Sequence, residues 1–193
     1  PFLATRKVRI RLEQSLLTKH IISVMSYARL FEARSVRMGS LFDVKTRNEL
    51  ADVLNIPRRH LTYILYIQRP DNCYTTFEIP KKVGGIRVIS APSSALKEIQ
   101  VTLAEKLWEC QQKIWQQYNI QPNIAHAFIP KKSTITNAQI HCKKRYVLNL
   151  DLKDFFDHFH FGRVMGYFEK NNNFCLPHEV AVVITQLACY KGR

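Results

Sequence analysis

The sequence predicts an α+β chain in which helices flank one β-hairpin, and three observations predict it. Apolar residues recur at helical spacing over residues 12–32, 94–117 and 177–190. Between the first two of these stretches, at Tyr74–Ile89, the pattern changes to β-branched and aromatic residues around Gly84-Gly85. Near the other end, Val147-Leu148-Asn149-Leu150 is a short apolar run that ends in acids, the pattern of a buried strand. With 193 residues, 46% hydrophobic and 23% charged, the chain suits one ordinary domain, or one and a half small ones. That balance excludes a mostly disordered or collagen-like chain. No run of 18 apolar residues is present, so no spanning helix and no membrane partner are expected. No secretory signal is visible, and a start without Met points to missing upstream residues.

Leu16, Leu17, Ile21, Ile22, Val24, Met25, Leu30 and Phe31 give the 12–32 stretch its helical face. Thr46-Arg47-Asn48-Glu49 has the form of a capping box opening a helix over 47–54. Asn55-Ile56-Pro57 ends it, and Pro57 suits the first turn of a third helix running to about Ile67. That pair resembles a helix-turn-helix, with Arg58, Arg59 and His60 opening its second helix. Short helix pairs of this kind are more often plain packing units. Tyr74–Ile79 and Ile86–Ile89 read as the hairpin strands, with Ala91-Pro92-Ser93 stopping the second. Gly84-Gly85 supplies the positive φ that a tight reversal requires. Leu96, Ile99, Leu103, Leu107, Trp108, Ile114 and Trp115 form the stripe of the longest helix, 94–117. A short helix over 134–141 and two more over 161–168 and 177–190 complete the reading. In the last of these, Val180, Val183, Ile184 and Leu187 share a face.

Charge is the first functional clue. Lys and Arg number 29 against 15 Asp and Glu, a net charge of +14. The excess lies in residues 1–150, since the remainder carries five bases and five acids. Such an excess is an argument about partners, and the commonest is a polyphosphate. The five cysteines are far apart and show no zinc-site spacing, so reduced and mostly packed thiols are expected.

Three groups of residues could carry chemistry. Asp151, Asp154 and Asp157 follow the apolar run. A carboxylate at a strand end projects from rigid backbone into whatever cleft lies there. Mg²⁺ prefers one or two carboxylates with other oxygens, and Asp151 with the Leu152 carbonyl could supply two. The same acids could instead cap and solvate a following helix. Lys81, Lys82 and Arg87 flank the Gly-Gly tip and could clamp a triphosphate, Arg bidentately. They could equally be a solvated edge whose lysines discourage pairing. Phe155-Phe156 suits either a core or a stacking surface beside a nucleotide.

Taken jointly, these pieces resemble a known family. YVLNLDLKDFFDHFHFGRV is similar to the first catalytic motif of reverse transcriptases, most closely the retron group of bacterial enzymes. FEIPKKVGGIRVISAP resembles their fingers hairpin, HAFIPKKSTITNAQIH their second block, and ELADVLNIPRRHLTYILY their amino-terminal helical region. Ala127 stands where the family has Gly before Phe128. The resemblance implies the right-hand polymerase fold: an amino-terminal helical region over 1–72, fingers over 73–145, and the start of a palm over 146–193. It implies that Asp151 is a catalytic, metal-binding aspartate and that Leu152 lends its carbonyl to Mg²⁺, or to Mn²⁺ in its place. Phe156 would be the aromatic gate against a ribose 2′-hydroxyl. Arg87, with Lys81 or Lys82, would hold the incoming dNTP. Phe128, Lys131, Lys132, Ser133 and Asn137 would line the RNA template path.

The family's later Gln-Gly turn and Tyr-x-Asp-Asp hairpin do not occur here, so the chain is expected to be incomplete and inactive alone. By resemblance, the whole enzyme is bacterial and cytoplasmic. It uses its own structured noncoding RNA as template and 2′-hydroxyl primer, makes a branched RNA–DNA hybrid (msDNA), and acts with an effector protein of an anti-phage defence operon. Group II intron and CRISPR-associated reverse transcriptases, a non-catalytic RNA-binding module, and a DNA-binding regulator built on residues 47–67 remain alternatives.

Overall fold

The computed structural model describes residues 40–81, 84–120, 126–127, 129–150 and 158–192. The helix expected over 12–32 lies outside them. After a 3-10 turn at Leu41–Asp43 come α1 (Arg47–Val53) and α2 (Arg58–Thr62), then a π-helical turn at Tyr63–Gln68 and a 3-10 turn at Pro70–Cys73. The hairpin β1 (Tyr74–Pro80) and β2 (Ile86–Pro92) follows, then α3 (Ser94–Gln117), α4 (Thr134–Ile140), α5 (Phe161–Lys170) and α6 (His178–Ala188). No helix among the described residues is long and apolar enough to cross a membrane.

The helix starts follow their caps. Thr46 accepts a hydrogen bond from the Glu49 amide at 3.3 Å, as expected. The reciprocal bond is displaced by one residue, because the Glu49 carboxylate takes the Lys45 amide at 2.8 Å. Pro57 caps α2 from outside rather than sitting in its first turn, because its ψ of 127° is extended. The expected run to Ile67 is helical throughout but changes type. It widens to π geometry after Thr62 and stops at Arg69, whose φ of 62° no helix continues. α3 matches its expected span, with Ser93 accepting from the Leu96 amide at 3.4 Å.

One core joins the first helices, α3, α5 and α6. Leu41, Leu50, Leu54, Leu61 and Ile64 enter from the first helices. Leu96, Ile99, Leu103 and Ile114 enter from α3, and Val180, Val183, Ile184 and Leu187 from α6. α6 packs against α1, α3, α5 and the π turn, so it is the central helix. Its four-residue face is fully buried, as its spacing predicts. Trp108 and Trp115 are only half-buried and stack edge-to-face at 5.4 Å. Phe174 closes the α5–α6 corner against Phe42 (5.4 Å) and Phe168 (5.2 Å). Cys73, Cys110 and Cys189 are buried free thiols, whereas Cys142 and Cys175 are exposed.

The hairpin leaves this core by its root alone. β1 is exposed from Thr75 to its end, and β2 becomes buried only at Ser90. The strands pair antiparallel from Tyr74↔Pro92 to Pro80↔Ile86. β2 thus reaches Pro92 instead of stopping at Ala91, because a strand-end position tolerates a missing amide. At the root, the Gln100 side-chain amide donates to the Tyr74 hydroxyl (2.9 Å) and to the Leu187 carbonyl (2.8 Å). Tyr190 lies against the Tyr74 ring at 4.2 Å. Beyond it the Lys191 amide donates to Asp71 (2.7 Å), and the Gly192 carbonyl accepts from the Phe161 amide (2.9 Å). Residues 189–192 therefore strap the hairpin root to the first helices and to α5.

The run Val147–Leu150 corrects the sequence reading. It is neither a strand nor buried: Val147, Leu148 and Leu150 are 48%, 71% and 60% exposed. Among the described residues only β1 and β2 form a sheet, so this run has no ladder to join. An apolar run alone cannot supply a pairing partner.

Two outcomes follow from the root. Gln100→Leu keeps the volume but leaves the Leu187 carbonyl without its donor, and should lower stability by about 1–3 kcal/mol in urea unfolding. Burial pushes the Tyr74 hydroxyl up to about 12 from 10.0, and the Cys110 and Cys189 thiols to about 11 from 9.0. Each fold-state value is raised, so stability is full at neutral pH and falls as pH climbs through these windows. Melting temperatures measured from pH 8 to 12 should drop, and Tyr74→Phe should remove part of the drop above pH 10. An unchanged profile in that variant would contradict the burial of Tyr74.

Candidate functional site

The basic hairpin forms as expected, and its tip is closed by Lys81. The Lys81 amide donates to the Gly85 carbonyl (2.9 Å), and the Gly84 amide to the Lys81 carbonyl (3.2 Å). Gly84 and Gly85 have φ values of 87° and 86°. A Cβ at either would meet nothing within 4 Å, so backbone conformation rather than space selects glycine there. Arg87 pairs with Ile79 and shares its face with Phe77 and Ile89, opposite Ile86 and Val88. It is exposed, as are both of its strand neighbours. The structure thus presents a guanidinium and an apolar surface together on one face of a projecting ribbon. That combination can meet both a phosphate and a sugar or base. Lys82 lies outside the described residues.

The second basic group precedes α4. Lys131 has a φ of 66° and is exposed, while the Lys132 amide donates to the Ile129 carbonyl at 3.1 Å. Ser133 caps α4, its hydroxyl accepting from the Thr136 amide (3.3 Å) while the Thr136 hydroxyl takes the Ser133 amide (2.8 Å). His126 reaches the same Thr136 hydroxyl at 2.9 Å, so this turn is tied across ten residues. Asn137 is exposed one turn along. α4 has no buried residue, and its helical form rests on this cap rather than on packing. Phe128 lies outside the described residues.

Asp151, Leu152 and Phe156 also lie outside the described residues, as do Asp154 and Asp157. No group of three or more His, Cys, Asp or Glu side chains that could hold a metal ion occurs among the described residues. The expected donors are a carboxylate and a backbone carbonyl, hard oxygen ligands of the kind Mg²⁺ takes.

The basic residues that open α2 are partly committed within the chain. Arg58 forks onto Asp52 at 3.0 and 2.6 Å, and its guanidinium holds the exposed Asp52 carboxyl below its usual range. Sequence reasoning missed the neighbouring pair. Arg47 lies over the Tyr66 ring (5.2 Å to the centroid) and donates to its hydroxyl at 2.9 Å. No spacing in the sequence signals this pair, because its members stand 19 residues apart.

Residues 79–171 match the family model described as reverse transcriptase (RNA-dependent DNA polymerase). That segment resembles reverse transcriptases, and the relatives it resembles are of the retron type. It holds most of the hairpin, all of α3 and α4, and the acid cluster. The retron Mx65 reverse transcriptase of Myxococcus xanthus is 40% identical over 93 residues, which is 48% of this chain and 20% of the relative. The retron Ec83 reverse transcriptase of Escherichia coli is 33% identical over 94 residues, 49% of this chain and 28% of the relative. The retron Mx162 enzyme of M. xanthus is 28% identical over 141 residues, 69% of this chain and 26% of the relative. The chain thus spans less than a third of the length of these curated relatives. No solved structure matches it. The retron-like segment implies a reverse-transcriptase polymerase fold, and its mixture of helix and hairpin agrees with that.

Because α4 depends on its cap, Ser133→Ala should cost about 1 kcal/mol locally. Amide hydrogen exchange over Ile135–Ile140 should speed up several-fold while the α6 amides stay protected. Equal protection in α4 would show that something other than the cap holds it.

Proposed function

We propose that this chain is the amino-terminal helical region, the fingers and the first part of the palm of a retron-type reverse transcriptase. Its boundaries fall near 72 and 145. The reverse-transcriptase match over residues 79–171 carries the reading, because it spans the basic hairpin, the second block and Asp151 in the family's order. Retron enzymes among the relatives give the lineage. The whole protein would copy an RNA template into DNA in the bacterial cytoplasm. It would prime from a 2′-hydroxyl of its own structured noncoding RNA and yield msDNA, with an effector protein in anti-phage defence.

In this reading each residue has one task. Arg87 and Lys81, with Lys82, hold the triphosphate of the incoming dNTP from the hairpin. Their support is the exposed, Gly-tipped ribbon that presents them. Phe156 polices the sugar edge. Phe128, Lys131, Lys132, Ser133 and Asn137 border the template, with Ser133 fixing the turn that aims the two lysines. Asp151 and the Leu152 carbonyl hold Mg²⁺, or Mn²⁺ in its place. When bound, the ion offsets charge on the transferring phosphate oxygens. The +14 charge favours RNA through phosphate contacts.

Two-metal phosphoryl transfer needs carboxylates from separate segments, and in this reading the chain contributes the first of them, Asp151. Purified residues 1–193 should therefore incorporate no labelled dNTP on a primed RNA template. In the longer protein, Asp151→Ala should abolish synthesis and leave RNA affinity within about twofold. Synthesis retained in that variant would end the assignment.

A further inference from the structure

Largely outside the retron-like match, which reaches only its Phe161 wall, the π turn builds a pocket that the polymerase reading does not use. A cavity of about 390 Å³ is lined by Tyr66, Arg69, Asp71, Phe161 and Gln186, among others. That volume is within the range of small-ligand sites and exceeds what a single nucleobase fills. Its wall combines two aromatic rings, a guanidinium, a carboxylate and a primary amide. Rings offer a stacking surface, and the three polar groups offer both donors and acceptors to a base edge.

The rim is held in place before any ligand arrives. Arg47 fixes Tyr66 by its hydrogen bond at 2.9 Å while its cation lies over the ring. Tyr66 is 53% exposed in spite of those contacts, so part of it remains open to a partner. Arg69 stands in a left-handed conformation at the end of a π turn, and such turns recur at functional sites. Asp71 is positioned by the Lys191 amide at 2.7 Å, which leaves carboxylate lone pairs free. Tyr63 and Arg59 continue the same exposed helix face away from the pocket. Positive charge on the chain supplies the matching attraction for a phosphate backbone.

We propose that this pocket takes one unpaired base of an RNA strand, stacked on the open part of the Tyr66 ring, with its phosphates steered by Arg59 and Arg69. This rests on the reading of RNA as the partner, and it adds an anchoring point remote from the hairpin. A single strand fits because a paired base has both faces covered and its edge engaged. Duplex DNA, the partner of a helix-turn-helix, would leave the pocket unfilled.

The test uses the 193-residue chain and a 12-nucleotide single-stranded RNA of mixed sequence with a central 2-aminopurine. The same sequence as duplex RNA and as duplex DNA serves for comparison. Binding of the single strand should quench the 2-aminopurine emission. Tyr66→Ala should weaken that binding about fivefold or more and abolish the quench, whereas Tyr66→Phe keeps both. Duplex affinity should not change. Gln186→Leu, on another helix, should weaken single-strand binding as well, and it carries the comparison where Tyr66→Ala melts early. If both variants bind and quench as the unaltered chain does, the base site is wrong, and RNA affinity retained in the same titration leaves the polymerase reading standing. A preference for duplex DNA would also overturn the base site. Absence of any RNA binding by the unaltered chain would take the RNA reading down with it.

Discussion

A ribbon with water on both faces keeps a fixed direction only through its root. Here the root depends on one buried side-chain amide. Gln100 sits on α3 among apolar neighbours, yet its amide donates at once to Tyr74 at the start of β1 and to the last turn of α6. Burying an amide N–H costs free energy unless it is bonded, so the two bonds from its nitrogen are enforced as well as stabilising, while its Oε1 has no hydrogen-bond partner among the described residues. The Tyr190 ring and the backbone strap to Asp71 and Phe161 complete the joint. The direction of Arg87 and Lys81 is therefore set from within the helical core.

The same joint has a second consequence. The strap that anchors the hairpin also borders the Tyr66 pocket, since Cys189 and Gly192 line it. The hairpin root and the Tyr66 pocket thus share a short piece of backbone. Residues 189–192 come last in the described chain, whereas Tyr66 and Asp71 precede the hairpin. Only folding brings them together.

The polar groups divide by cost. Arg58–Asp52 is a well-formed pair, but both side chains are more than half exposed and it contributes little. Lys106 is buried along its stem and meets Glu109 at 2.8 Å, so its packing matters more than its charge. Neither bears on the site. Gln100 and Ser133 do, because each fixes the backbone that carries functional side chains. At the hairpin root and before α4, positioning is done by neutral hydrogen-bonding residues, and Arg87 and Lys131 are exposed nearby.

Much of the secondary structure was legible. Helix caps and periodicity act within a few residues, so Thr46, Ser93 and the α6 face could be read directly from the sequence. The hairpin was legible for the same reason, through Gly84-Gly85 and the change of period. The family also came through, since four short blocks in a fixed order survive without any coordinates. Contacts between distant segments were not legible. No local pattern says that Gln100 must meet Leu187, or that Arg47 must lie over a ring 19 residues on. Nor could an apolar run announce that Val147–Leu150 would find no strand beside it among the described residues. Local sequence determines which elements can form, because hydrogen bonds within helices and turns are short in sequence. Tertiary structure decides which surfaces close and which stay open, because that depends on partners far along the chain.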